Sequence, residues 1–595
     1  MALNIEDYAL IGDCHTGALV GRNGSIDWLC LPQFDSTSTF GALLGTPDHG
    51  AWLLCPDGDP VSTHRRYLDG SFVLVTSWVT STGEVEVTEF MPHGQRRAEV
   101  VRRVRGVSGT VVMRQELRIR FDYAASLPWV RQAPEEGSEA LVAIAGPDAV
   151  VVRGARLTPQ GTAHTGRFEV TAGETVDLTL TWFPAHRQTP AAADVDAQLA
   201  ETIQWWRQWG GTWPTDGRYR AIVERSLLVL RALTHEDTGG IVAAATTSLP
   251  ESLGASRNWD YRYVWLRDAS LTLEVLLDHG FSAEAESWRG WLLRAVAGDP
   301  ADIQIMYGLA GERRIPEWEV SSLPGYNNSG PVRAGNGAYL QYQGDVFGEV
   351  LMAMRAARRE GLAETEFSWG LQRALLAHVE ENWSRPDNGI WEIRGPARHF
   401  VHSRAMLWAA FDCGVSAVRE HGLDGPADRW EQLRDEVRDE IETRGFDSAL
   451  GSYTQYYDGS TVDASVLRLT QIGYVSADDP RMLGTVAALE SQLMRDGLLL
   501  RYETDSGVDG LAGDEHPFLA CSFWLVEQYA RSGRLADATA LMDRLTALAN
   551  DVGLLSEEYD TGDGRQLGNF PQALSHLALV RAADSINAAE ATLKR

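Results

Sequence analysis

Lysine and cysteine are scarce in this sequence. Of its 53 basic residues only Lys594 is a lysine, and five cysteines are spread over 595 residues. The cysteines form no CxxC pair, so their spacing argues against a disulfide framework and against a zinc site. We therefore expect no metal and buried free thiols at the five positions, which are Cys14, Cys30, Cys55, Cys413 and Cys521.

Long apolar stretches are missing as well. No apolar run approaches the roughly 18 residues that a membrane span requires. The first residues, MALNIEDYAL, lack the basic segment and the apolar core of a secretory signal. These two absences predict a cytoplasmic protein that has no membrane partner.

The charge is strongly acidic, since 53 basic residues face 82 acidic ones and leave a formal net charge of -29. Such a surface repels phosphate backbones, so we expect no nucleic-acid partner. The composition, 44% hydrophobic and 23% charged, is typical of a globular chain. The length exceeds what one core usually organises, which predicts two large domains.

Two regions of different periodicity divide the chain. From about residue 50 to 185, short segments such as 71–90 and 167–183 alternate apolar with polar residues and are separated by turn residues. This period of two predicts antiparallel strands arranged as a β-sandwich. Farther on, about twelve stretches place apolar residues near i, i+3, i+4 and i+7, which predicts helices paired as six hairpins.

The change of periodicity occurs at AETIQWWRQW, whose helical spacing is followed by the break GGTWPTDG. Glycine and proline in such a break interrupt regular structure. We therefore predict an N-terminal β-sandwich domain over residues 1–195, a helical linker over 196–217 and a helical domain over 218–595.

Two segments offer the pair of carboxyl groups that hydrolysis of a glycosidic bond requires. In RPDNGIWEIRG (385–395) Glu392 follows Trp391, and an aromatic neighbour that desolvates a carboxyl group raises its pKa. Near the C-terminus, Glu557 and Glu558 precede the last long helix. Adjacent carboxylates that faced one pocket would repel, so we expect one of them to point inward. Taken alone, each segment fits a solvated turn better than a catalytic site.

The densest cluster of functional residue types, RNWDYRYVWLRDAS (257–270), stands at the entrance to a predicted helix. Aromatic rings stack on sugars, and arginine and aspartate hold hydroxyl groups through paired hydrogen bonds. We interpret this cluster as a sugar-binding segment, although Tyr263 and Trp265 also fit core positions at helical spacing.

Together these three segments resemble glycoside hydrolase family 15, the glucoamylase family, and nearly the whole chain is similar to its bacterial trehalase-like and glucoamylase-like branch. The opening IEDYALIGDCHTGALVGRNGSIDWLCLPQFDS resembles the N-terminal domain of the trehalase-like members. The resemblance implies an antiparallel β-sandwich followed by an (α/α)6 helical barrel. This expectation agrees with the independent reading of strands and then about twelve helices.

The resemblance also implies roles for individual residues. Glu392 matches the general acid of the family, and Glu557 matches its general base. Arg267 and Asp268 match residues that grip the glucose at the cleaved end, and Tyr261 lies beside the leaving oxygen. The complete set of residues expected to bind substrate is Tyr261, Trp265, Arg267, Asp268, Trp391, Arg501 and Glu558.

The function expected from this resemblance is an inverting, exo-acting hydrolase that releases β-glucose from maltose, isomaltose or longer α-gluco-oligosaccharides. An α,α-trehalase of the same family is the alternative, and a disaccharide phosphorylase and an inactive sugar-binding protein are more distant ones. The chain lacks a GxSxG elbow, an HExxH motif and a P-loop. We therefore expect a small carbohydrate as the partner and no cofactor.

Overall fold

The computed structural model describes most of the chain. The described residues are 2–94, 97–135, 138–211, 217–504, 507–510 and 515–594. Residues 212–216, which belong to the predicted linker, lie outside the described residues. No helix in the described part is long and apolar enough to cross a membrane.

In the described chain, fifteen antiparallel strands form the N-terminal domain. They are β1 (Tyr8–Gly12), β2 (Gly17–Gly21), β3 (Ser25–Cys30), β4 (Ser38–Phe40), β5 (Ala51–Pro56), β6 (Ser62–Tyr67), β7 (Leu74–Val79), β8 (Gly83–Phe90), β9 (Glu99–Arg118), β10 (Trp129–Glu135), β11 (Ser138–Ala145), β12 (Asp148–Arg153), β13 (Thr158–Gln160), β14 (Ala163–Thr171) and β15 (Thr175–Pro184).

Strand β9 joins the two sheets of this domain. It is 20 residues long, and its first half pairs with β8 and β15. Its second half pairs with β5 and β14. Since adjacent side chains along a strand point to opposite faces, one face of each half packs into the core. The same strand therefore carries part of the core of both sheets.

Helix α1 (Val195–Gly210) connects the β domain with the helical domain. Its first turn is capped by Asp194, whose side chain accepts hydrogen bonds from two backbone N–H groups. The buried side chain of Trp206 packs against Phe72 of the β domain, with ring centroids 5.4 Å apart. The helix is therefore fixed on the β domain and does not project into solvent.

Twelve helices follow in the described chain. They are α2 (Arg220–Ala232), α3 (Leu266–Asp278), α4 (Ser282–Ala295), α5 (Asp345–Arg359), α6 (Glu366–Asn382), α7 (Val401–Arg419), α8 (Ala427–Arg444), α9 (Arg468–Gln471), α10 (Pro480–Gln492), α11 (Leu519–Arg531), α12 (Leu535–Thr546) and α13 (Ala573–Leu593).

Inner and outer helices alternate along this domain. The inner helices α3, α5, α7, α9, α11 and α13 are buried over most of their surface. Outer helices such as α8 and α12 bury only a stripe of apolar residues, as expected for amphipathic helices at the surface. Helix α13 packs against α2 and α3, so the last helix meets the first ones and the ring is closed.

The β domain holds the segment that precedes α3. Trp28 donates a hydrogen bond from Nε1 to the carbonyl oxygen of Ala245, at 2.9 Å. The guanidinium of Arg262 donates to the carbonyl of Ser36 and to the hydroxyl of Tyr123, both at 2.7 Å. It also forms a fully buried ion pair with Asp260. These contacts fix the start of the barrel on the β domain.

The buried pair between Arg262 and Asp260 should stabilise the protein more than an exposed pair with the same separation. We expect Arg262→Met to lower the free energy of unfolding by about 3–5 kcal/mol, because Asp260 is left charged and unpaired. Arg105→Met is the matched control: Arg105 and Glu86 are also 2.6 Å apart, but the Arg105 side chain is 58% exposed. Its loss should cost less than about 1 kcal/mol. Urea denaturation followed by fluorescence measures both, and equal losses would contradict this prediction.

Candidate active site

One pocket at the end of the helical barrel collects most of the residues singled out in the sequence. Its lining includes both predicted catalytic glutamates, Glu392 and Glu557. Six of the seven residues expected to bind substrate also line it. They are Tyr261, Trp265, Arg267, Asp268, Trp391 and Arg501.

In the segment before α3, every second side chain lines the pocket. Trp259 and Tyr261 line the pocket, whereas Asp260 and Arg262 are buried behind it against the β domain. This period of two follows from an extended backbone, in which the N–H of Ala244 donates to the carbonyl of Tyr261. The extended segment therefore presents one row of side chains to the pocket and the other row to the β domain.

Arg267 and Asp268 stand in the first turn of α3. They form an ion pair of 2.9 Å, and Arg267 also donates to the carbonyl of Ile390. Asp268 lies near the N-terminus of the helix, where the helix dipole favours a negative charge. Both side chains are therefore fixed in the pocket before a substrate arrives.

Glu392 lies in a turn and adopts a left-handed backbone conformation, with φ of 59°. This conformation costs of order 1–3 kcal/mol for a residue other than glycine and occurs often at functional sites. Trp265 donates a hydrogen bond from Nε1 to the Glu392 carboxylate at 2.5 Å. Burial raises the pKa of Glu392, while Arg267 and the bond from Trp265 oppose this rise. A raised pKa suits a carboxyl group that has to donate a proton.

Glu557 is 1% exposed and also lines the pocket. It lies in the C-terminal part of the chain, directly before the short strand that begins at Glu558. Its carboxylate accepts a hydrogen bond from the Tyr261 hydroxyl at 2.5 Å and from the Asn569 N–H at 3.3 Å. Burial and the nearby carboxyl of Glu251 raise the pKa of Glu557 to about 8. At Gly568 a Cβ atom would lie 2.6 Å from the Glu557 side chain, so glycine is needed there.

Trp391 forms part of the pocket wall and is held from behind. Its Nε1 donates to Asp463 at 2.9 Å, and its ring stacks on that of Trp524 with centroids 5.9 Å apart. Because its polar atom is already satisfied, its ring presents an apolar surface to the pocket, as expected for contact with a sugar ring.

Glu558, which we expected to bind substrate, does not line the pocket. It is fully buried and lies 3.3 Å from the guanidinium of Arg501. It begins the short strand Glu558–Asp560, and successive side chains of an extended chain point to opposite sides. Since Glu557 points into the pocket, Glu558 points away from it. Its contribution is to hold Arg501.

Arg501 is surrounded by carboxylates. Besides Glu558, the carboxyl groups of Glu251 and Glu515 lie 3.0 and 2.9 Å from its guanidinium. Arg257 stands on the other side of Glu515 and pairs with both Glu515 and Asp509. These contacts fix Arg501 in the pocket wall.

Carboxyl groups outnumber guanidinium groups in this cluster. Glu251 and Glu558 both have raised pKa values because they are buried, and the neighbouring carboxyls add to the effect. The sequence reasoning missed Glu251 and Glu515, since each lies in a loop with no partner nearby in the sequence. The only signal was that Glu251, in SLPES, closely precedes the aromatic cluster.

The mouth of the pocket carries a second set of residues. Arg394 is exposed, stacks on Trp259 at 4.1 Å from the ring centroid, and pairs with Glu317 at 3.0 Å. Arg333 contacts Trp259 at 4.7 Å. Trp259 and Arg394 line the same pocket as the two catalytic candidates.

Two carboxyl groups in one pocket, each with its own hydrogen-bond donor and flanked by aromatic walls and a fixed Arg–Asp pair, define a glycoside hydrolase. The chain belongs to the glycosyl hydrolases family 15, whose model matches residues 217–584. A second model, for the trehalase-like N-terminal domain, matches residues 1–179. The resemblance noted in the sequence is therefore confirmed.

Relatives of this chain are similar over almost its full length. The trehalase of Mycolicibacterium smegmatis is 38% identical, over 98% of this chain and 92% of that protein. The trehalase of Thermoplasma acidophilum is 34% identical, over 97% and 99%. A solved bacterial glucoamylase complexed with acarbose has a TM-score of 0.74 at 13% identity, over 98% of this chain and 94% of that one. The predicted β domain followed by an (α/α)6 barrel is confirmed.

Proposed function

We propose that this protein is an α,α-trehalase, which hydrolyses trehalose into two molecules of glucose. The observation that carries this proposal is the similarity to trehalases of 34–38% identity, which extends through both domains. The maltose, isomaltose and longer α-glucans that we preferred from the sequence have less support. The α,α-trehalase activity, which we gave as the alternative from the sequence, is better supported.

The reaction proceeds by a single displacement in this proposal. Glu392 protonates the glycosidic oxygen, and Glu557 removes a proton from a water molecule that attacks the opposite face of the sugar. The attacked glucose leaves as the β-anomer, and the other half keeps its α configuration. Arg267 and Asp268 hold the attacked glucose, and the Trp391 ring forms the wall beside it.

The two acids accept hydrogen bonds from different donors, and in both cases these bonds favour the ionised carboxylate. Glu392 accepts from the indole of Trp265, a neutral donor that leaves the second carboxyl oxygen free to carry a proton. Glu557 accepts from the hydroxyl of Tyr261 and from a backbone N–H, and both bonds favour its ionised form. A general base has to be ionised, and burial and Glu251 raise the pKa of Glu557 to about 8 against these two bonds, so this role requires a pH near or above that value.

The residues at the mouth of the pocket favour a substrate that contains a second sugar. The guanidinium of Arg394 is oriented by Trp259 and Glu317, and within the described chain only its Nη2 has a protein acceptor. Its other N–H groups are available for the hydroxyls of the departing glucose. A phosphorylase uses phosphate and needs no second carboxylate, so Glu557 in the same pocket favours hydrolysis.

A panel of disaccharides tests the proposed substrate. We expect trehalose to have the highest kcat/KM, by at least about tenfold, over maltose, isomaltose and maltotriose, because interactions with the second sugar stabilise its transition state. Proton NMR of fresh product should show equal amounts of β- and α-glucose before mutarotation. Higher kcat/KM for maltose would refute the trehalase proposal, and a glucose phosphate formed in phosphate buffer would establish phosphorolysis.

Substitution of each acid separates their roles. Glu392→Gln should keep proportionally more activity on α-glucosyl fluoride than on trehalose, because fluoride leaves with little protonation. Glu557→Ala should lose roughly 10²–10⁴-fold on both substrates. Added azide should then restore turnover and give β-glucosyl azide, identified by NMR of the anomeric proton. An α-configured adduct would show a covalent intermediate and contradict the single displacement.

Replacement of Glu251 tests the electrostatics of the base. The carboxyl of Glu251 raises the pKa of Glu557, and activity is lost as pH falls through that pKa because the base becomes protonated. In Glu251→Gln this pKa should fall, so the acidic limb of kcat/KM should move to lower pH. Glu380→Gln, which removes a surface carboxyl paired with Arg429, is the control. An unmoved limb in Glu251→Gln would mean that Glu251 is already neutral in the native enzyme.

A further inference from the structure

Three side chains of metal-ligand type converge at the junction of the two domains, outside the lining of the catalytic pocket. The Sγ atom of Cys14, a ring nitrogen of His93 and a carboxylate oxygen of Glu236 all lie within 4.8 Å of one another. Cys14 follows β1, His93 follows β8 and Glu236 follows α2. The ligand types therefore come from three separate segments, two in the β domain and one in the barrel.

The backbone holds these three residues in place. The N–H of Glu236 donates to the carbonyl of Cys14 at 2.8 Å, which ties the barrel segment to the β domain. Cys14 has a left-handed conformation, with φ of 63°. The ring of His93 stacks on that of Trp205, with centroids 3.4 Å apart. The convergence is thus imposed by the fold and does not depend on free surface side chains.

His93 has an unmet requirement for polar contacts. Both ring nitrogens are shielded from solvent, and neither has a hydrogen-bond partner in the described chain. A buried polar group without a partner costs about 1–3 kcal/mol, so an unobserved ligand is a reasonable explanation for it.

The charges around the cluster are favourable to a cation despite one arginine. Arg231 contacts Glu236 and acts against a cation near Cys14. Three carboxyl groups offset it: Glu236 itself, Glu284, which lies 3.5 Å from Arg231, and the buried Asp13. A divalent ion that replaces the thiol proton of Cys14 would reduce this excess of negative charge.

We propose that Cys14, His93 and Glu236 bind one Zn²⁺ ion that joins the β domain to the barrel. Thiolate, imidazole and carboxylate are all zinc ligands, and a water molecule completes the tetrahedron. Magnesium and calcium prefer sites made of oxygen atoms, so they match this set less well. Binding releases the thiol proton to solvent. This inference revises our expectation of no metal, which depended on spacing along the sequence.

Cobalt is the spectroscopic probe for this site. After dialysis of the full chain against a chelator, we expect one equivalent of Co²⁺ to produce a sulfur-to-cobalt charge-transfer band, and Zn²⁺ to abolish it. Cys14→Ser should lose the band, and His93→Gln should weaken cobalt binding by more than about tenfold. Cys413→Ser is the matched control, because Cys413 is also a buried free thiol but lies in α7.

The change in Tm on addition of Zn²⁺ is a second measurement, and it distinguishes loss of metal binding from misfolding of a variant. Zn²⁺ should raise the Tm of the native protein, since a ligand that binds only the folded state stabilises it. Glu236→Gln replaces a partly exposed side chain, should fold normally by circular dichroism, and should lose most of this rise. The proposal is overturned if the native protein binds no stoichiometric cobalt, if the band persists in Cys14→Ser, or if Zn²⁺ raises the Tm of all variants equally. None of these outcomes depends on which sugar the enzyme hydrolyses.

Discussion

The buried ion pair between Asp260 and Arg262 is the constraint on which the site depends. Both charges are removed from water. Arg262 makes its other side-chain contacts with the β domain, and Asp260 also accepts a hydrogen bond from the N–H of Gly335. Such a pair is costly to bury and tolerates little displacement. Because the chain is extended here, fixing Asp260 and Arg262 on one side also fixes Trp259 and Tyr261 on the other. The β domain therefore orients one wall of the pocket although it contributes no lining residue.

The carboxyl cluster around Arg501 has a related role. Glu251, Glu515 and Glu558 orient the guanidinium of Arg501 by ion pairs, and the role we expected for Arg501, binding a neutral sugar, requires such a defined orientation. Glu251 also raises the pKa of Glu557, so one of the groups that position Arg501 affects protonation of the proposed base as well. Positioning and proton affinity are therefore coupled in this part of the site, and a change in one carboxyl group alters both.

The alternation of apolar and polar residues predicted the strands that are buried on one face. It did not indicate the strands that are buried on both faces. The alternation in 71–90 corresponds to β7 and β8, whereas β1, β2 and β3 are buried at every position and show no alternation. The prediction for Glu392 came from its position after a tryptophan in a segment that resembles the family, and the structure places this residue in the pocket lining. Glu558, which we expected to bind substrate, does not line the pocket, because the direction of its side chain depends on the pairing of its strand. Glu251 and Cys14 act through partners that are distant in sequence, so no local pattern indicates them.

The closure of the ring by α13 has a consequence for biosynthesis. Pocket residues extend from Ala243 to Leu574, and the first and last helices of the barrel meet only when the C-terminal segment is in place. Domains generally fold from the N-terminus during translation, so the β domain has its complete sequence long before the barrel does. A nascent chain still attached to the ribosome consequently lacks part of its pocket. A chain truncated within α13 would then lack the contact that closes the ring and part of the pocket, and it would be inactive instead of weakened.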